Sequence, residues 1–464
     1  MSFQTLWVGV SGLTAAQRAM EVTANNVANV NTDGYSRQRV ELVSGRPVPG
    51  TDGSRGDGMR GTGVTVADVV RAHSDLADTA FRSESATQGS WSARSDIMSR
   101  AEQVLGPIGG GTPKALADFF GSWEELSLHP DTPAARQAVI AAGASLAGSF
   151  NSAASDLDGL KAGAGAQIRA TVDDVNRLAA QVAKLNAGIA DATNGQQSPN
   201  DLLDQRDRLL DQLSALTGAT VRPGELGRVD VYIGSRTLVR GETVETLQAS
   251  SADPATVQWQ LGGDRAATGG KLGGLVDSAA TVTGFRSQLD ALANAFMAQV
   301  NTAHRNGFDL TGNPVPAGGI QTGNGTDFFT GSGAGPMTVN ITDPKQVAAA
   351  ASATGGANDG NNALTMAALR SLSLPTGVTA EDTLGAFAGT LGTAAAQAKD
   401  QTAASGEVLD GLARDRAQVS SVSTDEEMAD MVRFQRAYEA SARLMTTVDQ
   451  MLDRLINSTG MVGR

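Results

Sequence analysis

The clearest hydrophobic patterning lies at the two ends of the chain. Near the start, Leu6, Leu13, Met20 and Val27 recur every seven residues. Phe3, Val10 and Ala24 occupy the companion positions three residues earlier, with Gln17 the polar exception. This spacing predicts a helix with a coiled-coil seam, ending at Asn31-Thr32-Asp33-Gly34, where Gly34 supplies a left-handed cap. At the other end, Met431, Tyr438, Met445 and Leu452 form one seven-residue series, and Phe434, Ser441, Val448 and Leu455 a second. Ser423-Thr424-Asp425-Glu426-Glu427 offers two overlapping capping boxes and an acidic first turn that complements the helix dipole. A period nearer to roughly 3.5 than 3.6 at both ends predicts that the terminal helices pair with one another. The alternative is two ordinary amphipathic helices on a globular core.

The first helix has a second apolar face: Val8, Ala15 and Val22 lie opposite the seam, followed by Asn29. A helix apolar on two sides must be buried on two sides. The last helix widens its seam with Leu444, Met451 and Ile456. Neighbouring copies could cover this surplus, and Gly9 and Gly12 would let backbones approach. Asn25, Asn26 and Asn29 fall away from the seam. Their amides would either bond an adjacent subunit or form a fraying, solvated last turn.

Between the ends, Val40-Glu-Leu42 and Val64-Thr-Val66 alternate around the glycine-rich stretch Gly45 to Gly63, which predicts a long hairpin arm within residues 36–72. Helices are expected over 75–106, from Pro113 through Leu126, over 133–192 and from Leu202 to Leu216. Alternation of Val229, Val231 and Ile233, and later of Val257, Trp259 and Leu261, predicts an antiparallel β insertion over 218–275. Helix returns from Val282 to His304, Val339 and Ile341 mark a strand, and helices resume near Asn361 and from Leu384. The expected fold is mainly α with β insertions. A terminal coiled-coil domain (1–35 and 421–464) carries a helical-bundle domain (36–217 and 276–420) with the small β domain (218–275) outermost.

Composition narrows the function. The chain has 464 residues, 41% hydrophobic but only 4% aromatic, with 55 glycines. Such a core suits long helices with small side chains at their contacts. A net charge of −13 argues against wrapping nucleic acid or binding anionic membranes. No apolar run approaches the roughly 20 residues that span a bilayer. With no cysteine, disulfides, thiolate metal sites and cysteine nucleophiles are all excluded. The N-terminus lacks the basic region and apolar core of a cleaved secretory signal.

Candidate chemistry is thin. His73, His129 and His304 are far apart and are read as solvated or capping histidines, so no metal is expected. Gly109-Gly-Gly-Thr-Pro-Lys114 lacks the ending of a phosphate loop, and Pro113 removes an amide donor. The carboxylates read as scattered over helix surfaces, leaving no acid–base pair. Neither catalysis nor a cofactor is expected.

The stretch Ser11-Gly-Leu-Thr-Ala-Ala-Gln-Arg-Ala-Met-Glu-Val-Thr-Ala-Asn-Asn-Val-Ala-Asn-Val-Asn-Thr-Asp-Gly-Tyr-Ser-Arg-Gln-Arg39 resembles the N-terminal signature of the flagellar rod, hook and hook-associated protein family. Asp425 through Ile456 resembles the family's C-terminal signature. The ending Tyr35-Ser-Arg-Gln38 is more similar to the hook-associated members, whereas rod and hook proteins more usually follow the glycine with Phe and Lys. The resemblance implies a structural subunit of the zone joining hook to filament, with a hook or distal rod subunit as the alternative. It also implies self-assembly into a helical polymer, contacts with the hook protein and with a second junction protein on the filament side, and an extracellular place on the flagellum. Export would run through the type III apparatus without a cleaved signal. An export chaperone is implied on the C-terminal segment, where Met428, Met431, Phe434, Tyr438, Leu444, Met445 and Leu452 form an apolar stripe that needs cover on an unfolded chain.

Overall fold

A computed structural model describes residues 3–49, 59–104, 111–311, 325–375 and 377–458. The side chains of Phe3, Leu455 and Ile456 lie outside the described residues, as do Gly109 and Gly110. The chain divides into two compact units, one of Met1–Ser85, Asn176–Glu245 and Gly406–Arg464, the other of Ala86–Val175 and Thr246–Ser405. Helix dominates both. Among the described residues, no helix is long and apolar enough to cross a membrane.

The first unit contains the terminal helices α1 (Phe3–Ala28) and α9 (Thr424–Ser458). After α1 the chain turns at Gly34, whose φ of 71° is left-handed, the conformation its sequence position predicts. A Cβ there would also meet the Arg208 side chain, which would have to move aside. Strands β1 (Gln38–Ser44) and β4 (Val64–Arg71) form the expected hairpin, with Val40 opposite Val69 and Leu42 opposite Val66. A bulge between Glu41 and Leu42 shifts the register. The ribbon continues through β2 (Val48–Pro49) and β3 (Met59–Arg60). Helix α2 (Asp75–Glu102) follows, and its opening turns belong to this unit. So do the end of α4 (Pro133–Asn194), all of α5 (Asn200–Thr217) and the end of α8 (Ala380–Ser420).

Strands β5 (Thr220–Pro223), β6 (Val229–Ile233), β7 (Arg236–Arg240) and β8 (Thr243–Val244) make an antiparallel sheet in sequence order. Val229, Val231 and Ile233 bury one face of β6, as their alternation predicts. Asn186, fully buried on α4, ties this sheet down: its amide donates to the Val229 and Gly241 carbonyls and accepts from the Val229 N–H.

The second unit holds β9 (Leu247–Ala249) paired with β10 (Val257–Trp259), then α3 (Gly111–Leu128), α6 (Gly270–Asn306), β11 (Phe329–Thr330), β12 (Thr338–Val339) and α7 (Asn361–Ala368). The scarce aromatic residues collect here. Phe119, Phe120, Trp123, Phe296, Phe328 and Phe329 are buried together, with ring centroids 4.8 to 6.3 Å apart and mostly edge-to-face.

The division into units differs from the sequence expectation in two ways. Residues 218–275 are not one insertion: the four-stranded sheet closes at Val244, and Leu247–Ala249 pairs instead with Val257–Trp259 in the other unit. The terminal helices are not a separate domain either, because the hairpin, α5 and the sheet cluster with them. Helices α2, α4 and α8 each contribute residues to both units. Helical periodicity carries no mark of where a long helix exchanges one set of core partners for another.

Candidate assembly surface

Helices α1 and α9 pack as an antiparallel pair. Gly9 lies against Met445 and Leu444, Gly12 against Ser441, and Asn26 against Glu427, so numbering rises along one helix as it falls along the other. A Cβ at Gly9 would sit 2.9 Å from Met445 Cγ, and one at Gly12 only 2.8 Å from Ser441 Oγ. A side chain at either position would make Met445 or Ser441 shift, so both glycines ease the close approach of the two helices.

At its lower end the pair is fixed by a polar clasp. Asn26 is 1% exposed; its Nδ2 donates to the Gln38 carbonyl at 2.8 Å and to Glu427 Oε2 at 3.0 Å, while its Oδ1 accepts from the Gln38 N–H and the Tyr35 hydroxyl. Arg37 places its guanidinium over the first turn of α9, 2.6 Å from Glu427, 2.7 Å from Glu426 and 3.6 Å from Asp430. Its backbone N–H donates to Ser420 at the end of α8. Burial, with Asp201, Asp204 and Glu427 nearby, pushes the Tyr35 hydroxyl up to about 12, so it stays a donor. Asn29 donates to the Asn25 carbonyl and side chain, and Thr32 to Asn29, which knits the last turn of α1.

Below the clasp, α5 presents Asp204, Asp207 and Asp211 on one face. Arg71 bridges Asp204 and Asp207 at 2.9 and 2.6 Å, Arg82 bridges Asp207 and Asp211, and Arg416 joins Asp211 to Asp78. His73 spans Asp75 and Asp78 at 2.7 and 2.9 Å, and the Asp78 hydrogen bond holds its pKa above the ordinary histidine value. His73, Asp78 and Asp207 stand close enough to ligate a cation, but arginines already occupy that role. These carboxylates are therefore clustered, not scattered as the sequence suggested, and they are structural ties. The spacing Asp204, Asp207, Asp211 is the helical signal that marks them.

His304 also departs from expectation. It is neither solvated nor a cap but fully buried beside Trp123 and Phe328, with Nδ1 bonded to the Thr326 carbonyl and Nε2 accepting from the Ala348 N–H. His129 sits exposed on α3's far end, 3.0 Å from Glu125. Gly111 to Lys114 enter the first turn of α3.

The expected inter-subunit face is largely turned inward. Ala15, Val22 and Asn26 are buried, Gly9 and Gly12 face the chain's own α9, and the hairpin covers part of the second apolar side. Gly63 approaches Val8 and Ser11, whose hydroxyl accepts from the Val64 N–H. Asn25 and Asn29 bond within α1 and its turn. What the seam series meets is incomplete cover. Leu6, Val10, Leu13, Met20, Val27, Met431, Phe434, Met445 and Leu452 are only half-buried, Val448 is buried, and Tyr438 is exposed. Trp7 is 69% exposed, and Met428, Val432, Leu444 and Met451 stand exposed at separate positions around α9.

Residues 6–35 match the "Flagella basal body rod protein" model, and 417–458 the "Flagellar basal body rod FlgEFG protein C-terminal" model. Residues 98–318 match the "Flagellar hook-associated protein FlgK helical domain". Paired ends of this kind define a structural protein of the flagellar rod and hook class. The chain is 32% identical to flagellar hook-associated protein 1 of Bacillus subtilis, over 100% of this chain and 99% of that one. It is 27% identical to the Escherichia coli protein of the same name, over 97% and 98%. The chain belongs to the flagellar hook-associated protein 1 family. Its fold is similar to that of the flagellar hook junction protein FlgK from Burkholderia pseudomallei, with a TM-score of 0.65 at 18% identity over 74% of this chain and all of that one.

Proposed function

We infer that this chain is a structural subunit of the bacterial flagellum that joins hook to filament, polymerising through its paired terminal helices. The observation that carries the reading is the half-covered α1–α9 pair. The two helices fix each other's register through Gly9, Gly12 and the Asn26–Glu427 clasp, yet leave Trp7 on α1 and Met428, Val432, Leu444 and Met451 on α9 in solvent. Apolar side chains left in solvent on two mutually paired helices suit an assembly site. Arg18 and Glu21, the charged residues of α1, pair with each other, so the helix up to Gln17 offers a wholly uncharged surface.

Neighbouring copies of the chain cover this surface in the proposed polymer, with the hook protein on one side and a second junction protein on the other. Before assembly the apolar residues of the unfolded C-terminal segment, including Met428 and Leu444, would bind an export chaperone, and export would use the flagellar type III apparatus without signal cleavage. Deleting the gene tests the reading. Cells should make hooks that carry no filament; loss of the hook itself would favour a hook or rod subunit, and normal filaments would contradict both.

A further inference from the structure

The carboxylate ties below the clasp include one group that titrates near neutral pH. His73 lies between the last residue of β4 and the first turn of α2. Its Nε2 stands 2.7 Å from Asp75 Oδ1, and its Nδ1 2.9 Å from Asp78 Oδ2. Ionised carboxylates only accept hydrogen bonds, and a neutral imidazole carries a single N–H. Only the doubly protonated ring can donate to both. Asp78 is buried, and its other oxygen meets Arg416 Nε at 2.5 Å. Burial works against the charge of Asp78, but the His73 hydrogen bond and the Arg416 charge outweigh it and hold its pKa below the ordinary carboxylate value.

The charged groups around the ring favour its protonated form. Asp75 and Asp78 of α2 and Asp204, Asp207 and Asp211 of α5 supply the carboxylates. Arg71 of β4, Arg82 of α2 and Arg416 of α8 supply fewer guanidinium groups than there are carboxylates, so the imidazolium brings the cluster closer to neutrality. Asp33 and Arg208, on the same cavity wall, carry opposite charges, and Tyr35 stays neutral because its hydroxyl is pushed up to about 12. The Asp78 hydrogen bond raises the pKa of the ring, and Asp75 adds to it, against burial and the charge of Arg71.

His73 also closes a circuit of bonds across three segments. The Ala72 N–H donates to the Arg37 carbonyl at 2.7 Å, and the Arg37 N–H to the Ser420 carbonyl on α8 at 2.8 Å. The Ser420 hydroxyl donates to the Arg416 carbonyl one turn earlier, and Arg416 returns through Asp78 to His73. Arg37 in turn holds Glu426 and Glu427 at the start of α9. We propose that His73 is a proton-operated latch, which when protonated locks the base of the hairpin to α2 and α8 beside the clasp of the terminal helices, and when deprotonated loosens that joint. Proton release leaves a ring lone pair facing a carboxylate and removes one of the two countercharges of Asp78. With the folded value above the ordinary 6.5, the stabilisation is complete below pH 6.5 and is lost as pH rises through the folded value. The latch acts within one chain and does not depend on the polymer.

Ring titration and amide exchange on the full chain test this together. The sequence has only 3 histidines, so the NMR signal of the His73 ring is identified by its loss in His73→Gln. Its pKa is expected above 6.5, and a value at or below 6.5 would overturn the latch. Hydrogen exchange over residues 64–80, referenced to unstructured peptides of the same sequence, should lose protection as pH rises through the measured value. The loss should be about tenfold for each unit by which that value exceeds 6.5. His73→Gln, neutral at every pH, should show constant protection. An equal loss in His73→Gln, or protection in the original chain that ignores the ring's titration, would overturn the coupling. Asp75→Asn changes a side chain that is 98% exposed, so the fold should survive while the ring pKa and the loss of protection both fall. A ring pKa unchanged by Asp75→Asn would overturn the double contact from which the latch is built.

Discussion

Asn26 Nδ2 stands 3.0 Å from Glu427 Oε2, joining the end of the first helix to the beginning of the last across almost the whole length of the sequence. Glu427 is 2% exposed and takes its countercharge from Arg37. A buried carboxylate is tolerated only when paired and hydrogen-bonded. Because Asn26 also serves both backbone groups of Gln38, one side chain sets the spacing of α1, the hairpin and α9.

Asn26→Ala therefore strands several buried partners at once. It should lower the unfolding free energy of the first unit by about 2–4 kcal/mol, since each unsatisfied buried polar group costs about 1–3 kcal/mol. Asn25→Ala, which removes only exposed bonds, should change it by less than about 0.5 kcal/mol. Denaturant titration of the two variants decides this; equal effects would mean that the clasp does not hold the helices.

Gly12→Ala puts a methyl group 2.8 Å from Ser441 Oγ and should loosen the helix pair. Adding Ser441→Gly should recover most of the loss. Hydrogen exchange across residues 5–20 reads the effect: faster in the single variant, near the original rate in the double. No recovery in the double variant would contradict the register described for α1 and α9.

His304 makes the second unit sensitive to acid. Burial first, opposed by the Thr326 carbonyl and by Asp309 and Asp327, pushes its pKa down from 6.5 to about 4. The folded chain holds the neutral imidazole while the unfolded chain protonates near its ordinary value, so the unfolded state binds more protons between those limits. Stability contributed by the neutral ring is complete above pH 6.5 and is lost as pH falls toward 4. The loss is about 3 kcal/mol at about 1.4 kcal/mol per pH unit. His304→Gln should be less stable at neutral pH but flatter over that interval in pH-dependent melting. An equal slope in both proteins would place the acid sensitivity elsewhere.

Much of this architecture is legible in the sequence, for identifiable reasons. Heptad spacing exposed the terminal helices, Gly34 the turn after the first, and the alternation of Val229, Val231 and Ile233 the central strand of the sheet. Those signals are local and periodic. What periodicity does not carry is which face meets which partner. The second apolar face of α1 is real, but Val22 and Ala15 turn toward the chain's own elements and the uncovered surface lies at Trp7 and along α9. Asn26 is a poor helix former in sequence terms and becomes intelligible only when Gln38 and Glu427 are brought to it. Arg71, Arg82 and Arg416 come from three separate segments to meet the carboxylates of α5, so no local pattern could pair them. The aromatic cluster likewise gathers rings from α3, α6 and the segment at Phe328.

The central claim is that the half-covered α1–α9 pair is completed by other copies at the hook–filament boundary. A cryo-electron microscopy reconstruction of that boundary in isolated flagella tests it most directly. The account predicts a ring or short helix of this chain, its antiparallel terminal helices in the register of Gly9 with Met445 and Asn26 with Glu427, and Trp7, Leu444 and Met451 buried against neighbouring copies. Terminal helices left exposed to solvent, or a boundary that lacks the chain, would contradict it.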